Sequence, residues 1–258
     1  MKNGLCAIAV ILAALSARAA IVSKPVEYKQ GDTVLEGLSV YDDSRQGPRP
    51  AVLVVHQWMG LGDYEKKRAA MLAQLGYNVF AADIYGKGVR PGNPKDAGAE
   101  AGKYKNDRAL LRARVRSALD VLTRHELTDS KRVAAIGYCF GGTTVLELAR
   151  SGAAIAGVVS FHGGLSSPAP EDAKNITARV LALHGADDPF VPAAEVAAFQ
   201  EEMRHAGVDW ELNAYGGAVH SFTDWNAGRD NSKGAAYNER ADRRSWEAMR
   251  QFFAELFK

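Results

Sequence analysis

Along the chain, unbroken aliphatic runs alternate with stretches whose apolar residues recur every three or four positions. Residues 21 to 46 read as an opening hairpin. Within it "PVEYKQGDTVLEGLSVYDD" alternates imperfectly and turns at Gly31-Asp32. "PAVLVVH" (50–56) and "NVFAADIY" (78–85) are continuous runs of the kind found in strands buried on both faces. Between them the loop "QWMGLGD" leads to a helix from about Tyr64. Asp63 is its expected N-cap, Arg68, Met71, Leu72 and Leu75 fall at helical spacing, and Gly76 ends it. The Gly/Pro-rich stretch "GKGVRPGNPKDAGAEAGKYKND" (86–107) reads as a long connection over a site, a lid or a surface loop. A helix follows with Leu111, Val115, Ala118, Leu119 and Leu122 on one face.

The second half repeats the rhythm. "RVAAIGY" (132–138), "IAGVVSFHG" (155–163), "RVLALHG" (179–185) and "DWELNAY" (209–215) read as strands. "GGTTVLELAR" (141–150), "AAEVAAFQEEMRHAG" (193–207) and a last segment from about Glu239 to Leu256 read as helices. Strands alternating with helices predict one α/β domain with a mainly parallel sheet and helices on both faces.

The first residues follow a different pattern. Lys2 precedes "GLCAIAVILAALSA", an apolar run too short to span a bilayer comfortably, and Ala17-Arg18-Ala19 supplies small residues around a cleavage point. This predicts a signal peptide over 1–19, a mature domain over 20–258, a secreted or periplasmic location and no stable membrane anchor. Losing Lys2 and Arg18 takes the formal charge from +2 to 0. A neutral mature chain gives no electrostatic case for a nucleic-acid partner, and Arg108, Arg112, Arg114 and Arg116 read as a solvated helix face. Cys6 leaves with the leader, so Cys139 is the sole thiol of the predicted mature chain.

Cys139 lies in Gly137-Tyr138-Cys139-Phe140-Gly141, between a strand and a helix. That is the cysteine form of a nucleophile elbow, whose glycines give a strained turn clearance from its neighbours. The pentapeptide alone fits a buried cysteine equally well. The order of later residues decides between them. Asp187 and Asp188 follow one aliphatic strand, and His220 lies in a Gly-rich loop after another. Nucleophile, acid and base in that order, each past the C-terminal end of a strand, match a catalytic triad. Spacing alone leaves Asp187 and Asp188 as alternatives. The oxyanion donors are expected at the Phe140 N–H and at Gln57 or Trp58. Tyr85, Tyr138, Phe140, Trp58 and Phe222 are candidate pocket walls. His56, His162 and His184 also end strands, but no ligand spacing accompanies them, so no metal or other cofactor is expected.

"VVHQWMGLGDY", "FAADIYGKG", "IGYCFGG", "VLALHGADDPFVP" and "YGGAVHSF" together resemble the dienelactone hydrolase family over nearly the whole mature chain. The resemblance implies an α/β-hydrolase fold and a Cys139–Asp188–His220 triad, with oxyanion donors at Trp58 and Phe140. The implied chemistry is opening of an ester or lactone through a cysteine thiol ester. A small-molecule ester or lactone is then the expected partner, and the chain a monomer or small homo-oligomer. Two features depart from the family. Its first-loop glutamate falls at Gln57, which cannot serve as a base. Its two substrate-binding arginines fall near Lys87, with Arg90 close by, and near Asp224, where an acid would repel a carboxylate. Without the glutamate, Cys139 is expected to rest paired with His220 and partly ionised.

Overall fold

The computed structural model describes residues 20–258. The predicted leader, 1–19, lies outside the described residues. Eight strands form one sheet: β1 (Ile21–Gln30), β2 (Thr33–Asp42), β3 (Arg49–Val55), β4 (Asn78–Ala82), β5 (Thr128–Tyr138), β6 (Gly157–Phe161), β7 (Arg179–Gly185) and β8 (Trp210–Tyr215). Their spatial order is β1-β2-β4-β3-β5-β6-β7-β8. The first two form the antiparallel hairpin turning at Gly31-Asp32, and β2 meets β4 antiparallel. All later neighbours are parallel. This is the mainly parallel α/β sheet that the aliphatic runs predict, and the α/β-hydrolase fold that the family resemblance implies.

Among the described residues six α-helices cover the sheet: α1 (Asp63–Gln74), α2 (Pro94–Asn106), α3 (Arg108–Arg124), α4 (Phe140–Arg150), α5 (Ala193–His205) and α6 (Glu239–Leu256). The two-residue period of the strands sorts their side chains into two cores. Leu53, Val55, Ala135, Val158 and Val180 face one layer with Leu111, Val115, Leu146 and Phe199. Val52, Val54, Ile136, Val159 and Leu181 face the other with Leu72, Met249 and Phe253. Among the described residues no helix is long and apolar enough to cross a membrane.

Four sequence expectations change. Residues 86–107 are not a bare loop: Asn93 caps α2 by accepting from the Asp96 N–H, with Pro94 opening the helix. The N-cap of α1 is Gly62, not Asp63, and the Glu65 carboxylate reaches back to the Gly62 N–H. Leu75, set at helical spacing with Arg68, Met71 and Leu72, is 40% exposed; Arg68 and Leu72 are buried, and so is Glu65 outside that set. The arginines of α3 are not a simple solvated face. Arg114 is buried and donates to Thr33, Arg112 pairs with Glu147 and Asp172, and Arg116 donates to Ser151.

Candidate active site

β5 ends at Tyr138 and α4 begins at Phe140, leaving Cys139 as the single joining residue. Its φ of 54° lies in the left-handed region, which a non-glycine residue occupies only when its surroundings force it there. The surroundings are tight. A Cβ on Gly137 would lie 1.9 Å from the Gly141 carbonyl oxygen, and one on Gly141 would lie 2.2 Å from that of Val55. Only glycine lets strand, turn and helix approach this closely. The Cys139 N–H donates to the Phe161 carbonyl at 3.0 Å and to His162 Nδ1 at 3.2 Å, fastening the turn to β6. The side chain stands partly exposed at the N-terminus of α4.

Three of the residues singled out in the sequence meet here. His220 Nε2 lies 3.0 Å from Cys139 Sγ, and His220 Nδ1 lies 2.8 Å from Asp188 Oδ2. Asp188 Oδ1 accepts the Phe190 N–H at 2.8 Å, so both carboxylate oxygens are engaged. Asp187 instead accepts the Gly217 N–H, a turn role. Burial alone would raise the Cys139 thiol, but the charge of His220 and its hydrogen bond outweigh burial and hold the thiol below its usual range. Burial would likewise lower His220. The charges and hydrogen bonds of Cys139 and Asp188 overcome it and push the imidazole up to about 10. Both shifts favour the thiolate–imidazolium form of the pair over the neutral one.

The loop after β3 forms the opposite wall. The Gln57 N–H donates to Glu65 Oε1 at 3.0 Å, and Gln57 Nε2 donates to Asp224 Oδ2 at 2.9 Å. Gln57 and Asp224 therefore satisfy each other. The Trp58 indole is 37% exposed and reaches α2 at Gly98, while its carbonyl accepts from the Tyr85 hydroxyl at 3.0 Å. Phe190, 60% exposed, stands edge-on to His220 on the far side.

Other expected site residues lie elsewhere. Lys87 is not in the pocket: it pairs with Glu27 and Glu36 of the hairpin, because the chain leaves β4 beside β2. Arg90 is committed to the Leu61 and Val89 carbonyls and to Asp83. Tyr138 is fully buried against Tyr64 and Phe161, since its strand position faces the α1/α6 core rather than the cleft. Phe222 is buried beneath His162, so it supports the site rather than lining it. The side chains of Phe140 and Tyr85 pack under the loop with His56 and Tyr104.

Two further residues support the site, one the strand-end histidine His162 and one that no sequence pattern indicates. His162 accepts from the Cys139 N–H and bonds Thr223 Oγ1 at 2.7 Å through Nε2. Burial, reinforced by the charge of His220, keeps it neutral, far below the usual histidine range. Glu65 is the other; its bond to the Gly62 N–H is half of a capping box, and with glycine at the N-cap no side chain marks the motif in the sequence.

The comparisons with known proteins agree with this fold. The dienelactone hydrolase family pattern matches residues 36–257. The chain belongs to the dienelactone hydrolase family. It is a carboxylic ester hydrolase of dienelactone hydrolase type. A solved structure described as a dienelactone hydrolase-like promiscuous phosphotriesterase from metagenomic libraries is 42% identical. It superposes with a TM-score of 0.87, covering 92% of this chain and 99% of that one. A second, titled m3DLH, is also 42% identical, with a TM-score of 0.89 over 93% of this chain and 100% of that one. "Protein usf" of Aquifex pyrophilus is 31% identical over 67% of this chain and 76% of its own length.

Proposed function

We propose that this family member is exported and hydrolyses small, uncharged esters, lactones or thioesters through an acyl-enzyme on Cys139. The observation that carries the proposal is the unbroken sequence of contacts from Cys139 Sγ through His220 to Asp188, at 3.0 and 2.8 Å. The Cys139 thiolate attacks the carbonyl carbon. A carbon–sulfur bond forms, and the oxyanion is held by the Phe140 and Trp58 N–H groups. As the carbonyl re-forms, the carbon–oxygen bond to the leaving group breaks. His220 Nε2–H gives its proton to the departing alkoxide. Neutral His220 then takes a proton from water, which attacks the thioester and releases the carboxylic acid and the Cys139 thiolate. Asp188 holds the imidazole by Nδ1 and stabilises its charge.

The preference for uncharged substrates rests on how the cleft is lined. Lys87 and Arg90 are bound elsewhere, the carboxyl side chain of Asp224 lies on Gln57 in the loop that carries Trp58, and the exposed apolar ring of Phe190 stands edge-on to His220. The 42%-identical relative described as a promiscuous phosphotriesterase favours adding an uncharged phosphotriester to the panel. Steady-state rates on neutral p-nitrophenyl esters, their carboxylate-bearing analogues, lactones and an aryl dialkyl phosphate test the reading. Neutral esters are expected to be cleaved fastest. A preference for the carboxylate-bearing analogues contradicts the substrate assignment. Full activity in Cys139→Ala contradicts the mechanism.

A further inference from the structure

The loop that carries Trp58 is held by more than its own turn. Three consecutive peptide units are each fastened by a side chain. The His56–Gln57 unit is held at the Gln57 N–H by Glu65 Oε1, 3.0 Å away. The Gln57–Trp58 unit is held at the Gln57 carbonyl by His56 Nδ1, 2.6 Å away. The Trp58–Met59 unit is held at the Trp58 carbonyl by the Tyr85 hydroxyl, 3.0 Å away. Among the described residues no protein group accepts the Trp58 N–H.

The proton on His56 is fixed by its other neighbour. Its Nε2 lies 3.2 Å from the backbone N–H of Ile84, which can only donate. Nε2 is therefore the acceptor, and Nδ1 carries the hydrogen given to the Gln57 carbonyl. The ring is fully buried between Tyr85 and Phe140, and burial holds it down at about 4, so it stays neutral where the enzyme works. In a trans peptide the carbonyl and the N–H point to opposite sides. Drawing the Gln57 carbonyl toward His56 turns the Trp58 N–H the other way. Glu65 fixes the preceding peptide and, through Oε2, the Gly62 N–H at the start of α1. The loop is thus pinned to both the sheet and the helix.

We infer that His56 and Glu65 are positioning residues that aim the Trp58 N–H at the developing oxyanion. The inference rests on the acyl-enzyme reading above. It assigns a use to a buried strand-end histidine that is neither a base nor a metal ligand, and to a buried carboxylate that never meets substrate. An oxyanion donor acts only if its direction is set before reaction.

The test separates acylation from alkylation at the same sulfur. Acylation by p-nitrophenyl acetate builds an oxyanion. Alkylation by iodoacetamide forms a carbon–sulfur bond with loss of iodide and builds none. His56→Leu is expected to slow pre-steady-state acylation about 100-fold, as loss of one oxyanion donor does. Its alkylation rate should match wild type. His56→Asn, whose amide N–H can replace Nδ1–H, should recover most of the loss. Glu65→Gln, which keeps one acceptor oxygen but adds donors, should fall between them and serves if His56→Leu does not fold. Unchanged acylation in the folded variants overturns the inference. So does an equal fall in acylation and alkylation, the mark of a general collapse of the site. Wild type that is alkylated at Cys139 but never acylated there overturns the underlying reading instead.

Discussion

At the scale of single residues, the central feature is a charge pair set against burial. The Cys139 thiol is held low and His220 is pushed up to about 10, so the two titrate as one unit. The sign follows. Thiolate appears as pH rises through the lowered thiol value, and imidazolium is lost as pH passes about 10. Iodoacetamide alkylation of the free enzyme should therefore reach its plateau below the ordinary thiol value of about 8.5. It should stay there above pH 10, while ester turnover falls for want of a proton on His220. An alkylation midpoint at about 8.5 contradicts the pairing. Asp188→Asn should lower kcat by roughly 10⁴, since the amide cannot stabilise the imidazolium and favours the wrong tautomer. This part of the site was legible because chemistry here follows strand ends. Cys139 and Asp188 sit past aliphatic runs and His220 past the mixed strand of 209–215, each beside glycine or a turn. The pocket was less legible for the same reason. A side chain just past a strand can face the cleft or the sheet edge, and Lys87 was drawn to Glu27 and Glu36, residues remote in sequence.

At the scale of elements, the strand–turn–helix around Cys139 depends on glycine more than on hydrogen bonds. Gly137→Ala places a methyl 1.9 Å from the Gly141 carbonyl, a contact between backbones that cannot move apart cheaply. It should cost about 3 kcal/mol or more, read from urea unfolding. A cost below about 1 kcal/mol would show that the elbow can relax. Helix α2 is the element that sequence pattern missed. Its buried residues are Ala97, Ala101 and Tyr104, too small and few to display a clear apolar stripe. Asn93-Pro94 did signal its start, as a cap followed by a first-turn proline. Asn93→Ala should destabilise by about 1 kcal/mol through loss of that cap. The buried acids and bases of α1 were hidden for a different reason. Arg68 reaches across the fold to Asp242 and the Thr223 carbonyl, partners no local pattern reveals.

At the scale of the molecule, the sheet was readable almost entirely. Five of the six parallel strands are buried on both faces, and that burial writes itself as runs rich in Val, Ile, Leu and Ala; the edge strand β8, WELNAY, is the exception. What ties the later helices together was not readable, because it is electrostatic and long-range. Arg150 is fully buried and makes a bidentate pair with Glu202 of α5 at 2.7 Å through each nitrogen. It also contacts Glu147 at 3.1 Å, and Glu147 in turn holds Arg112. Glu202→Ala leaves that guanidinium short of a partner in the interior. It should cost about 3–5 kcal/mol, seen as a lowered Tm, with the chemistry at Cys139 intact in the folded fraction.

The most direct measurement of the whole account is rapid-quench intact-mass spectrometry of the enzyme mixed with p-nitrophenyl acetate. The account predicts one acetyl group on the peptide carrying Cys139. It should form as p-nitrophenolate is released and disappear at a rate that sustains turnover, and it should be absent in Cys139→Ala. Sustained hydrolysis with no acyl group on Cys139, and with Cys139→Ala as active as wild type, would contradict it.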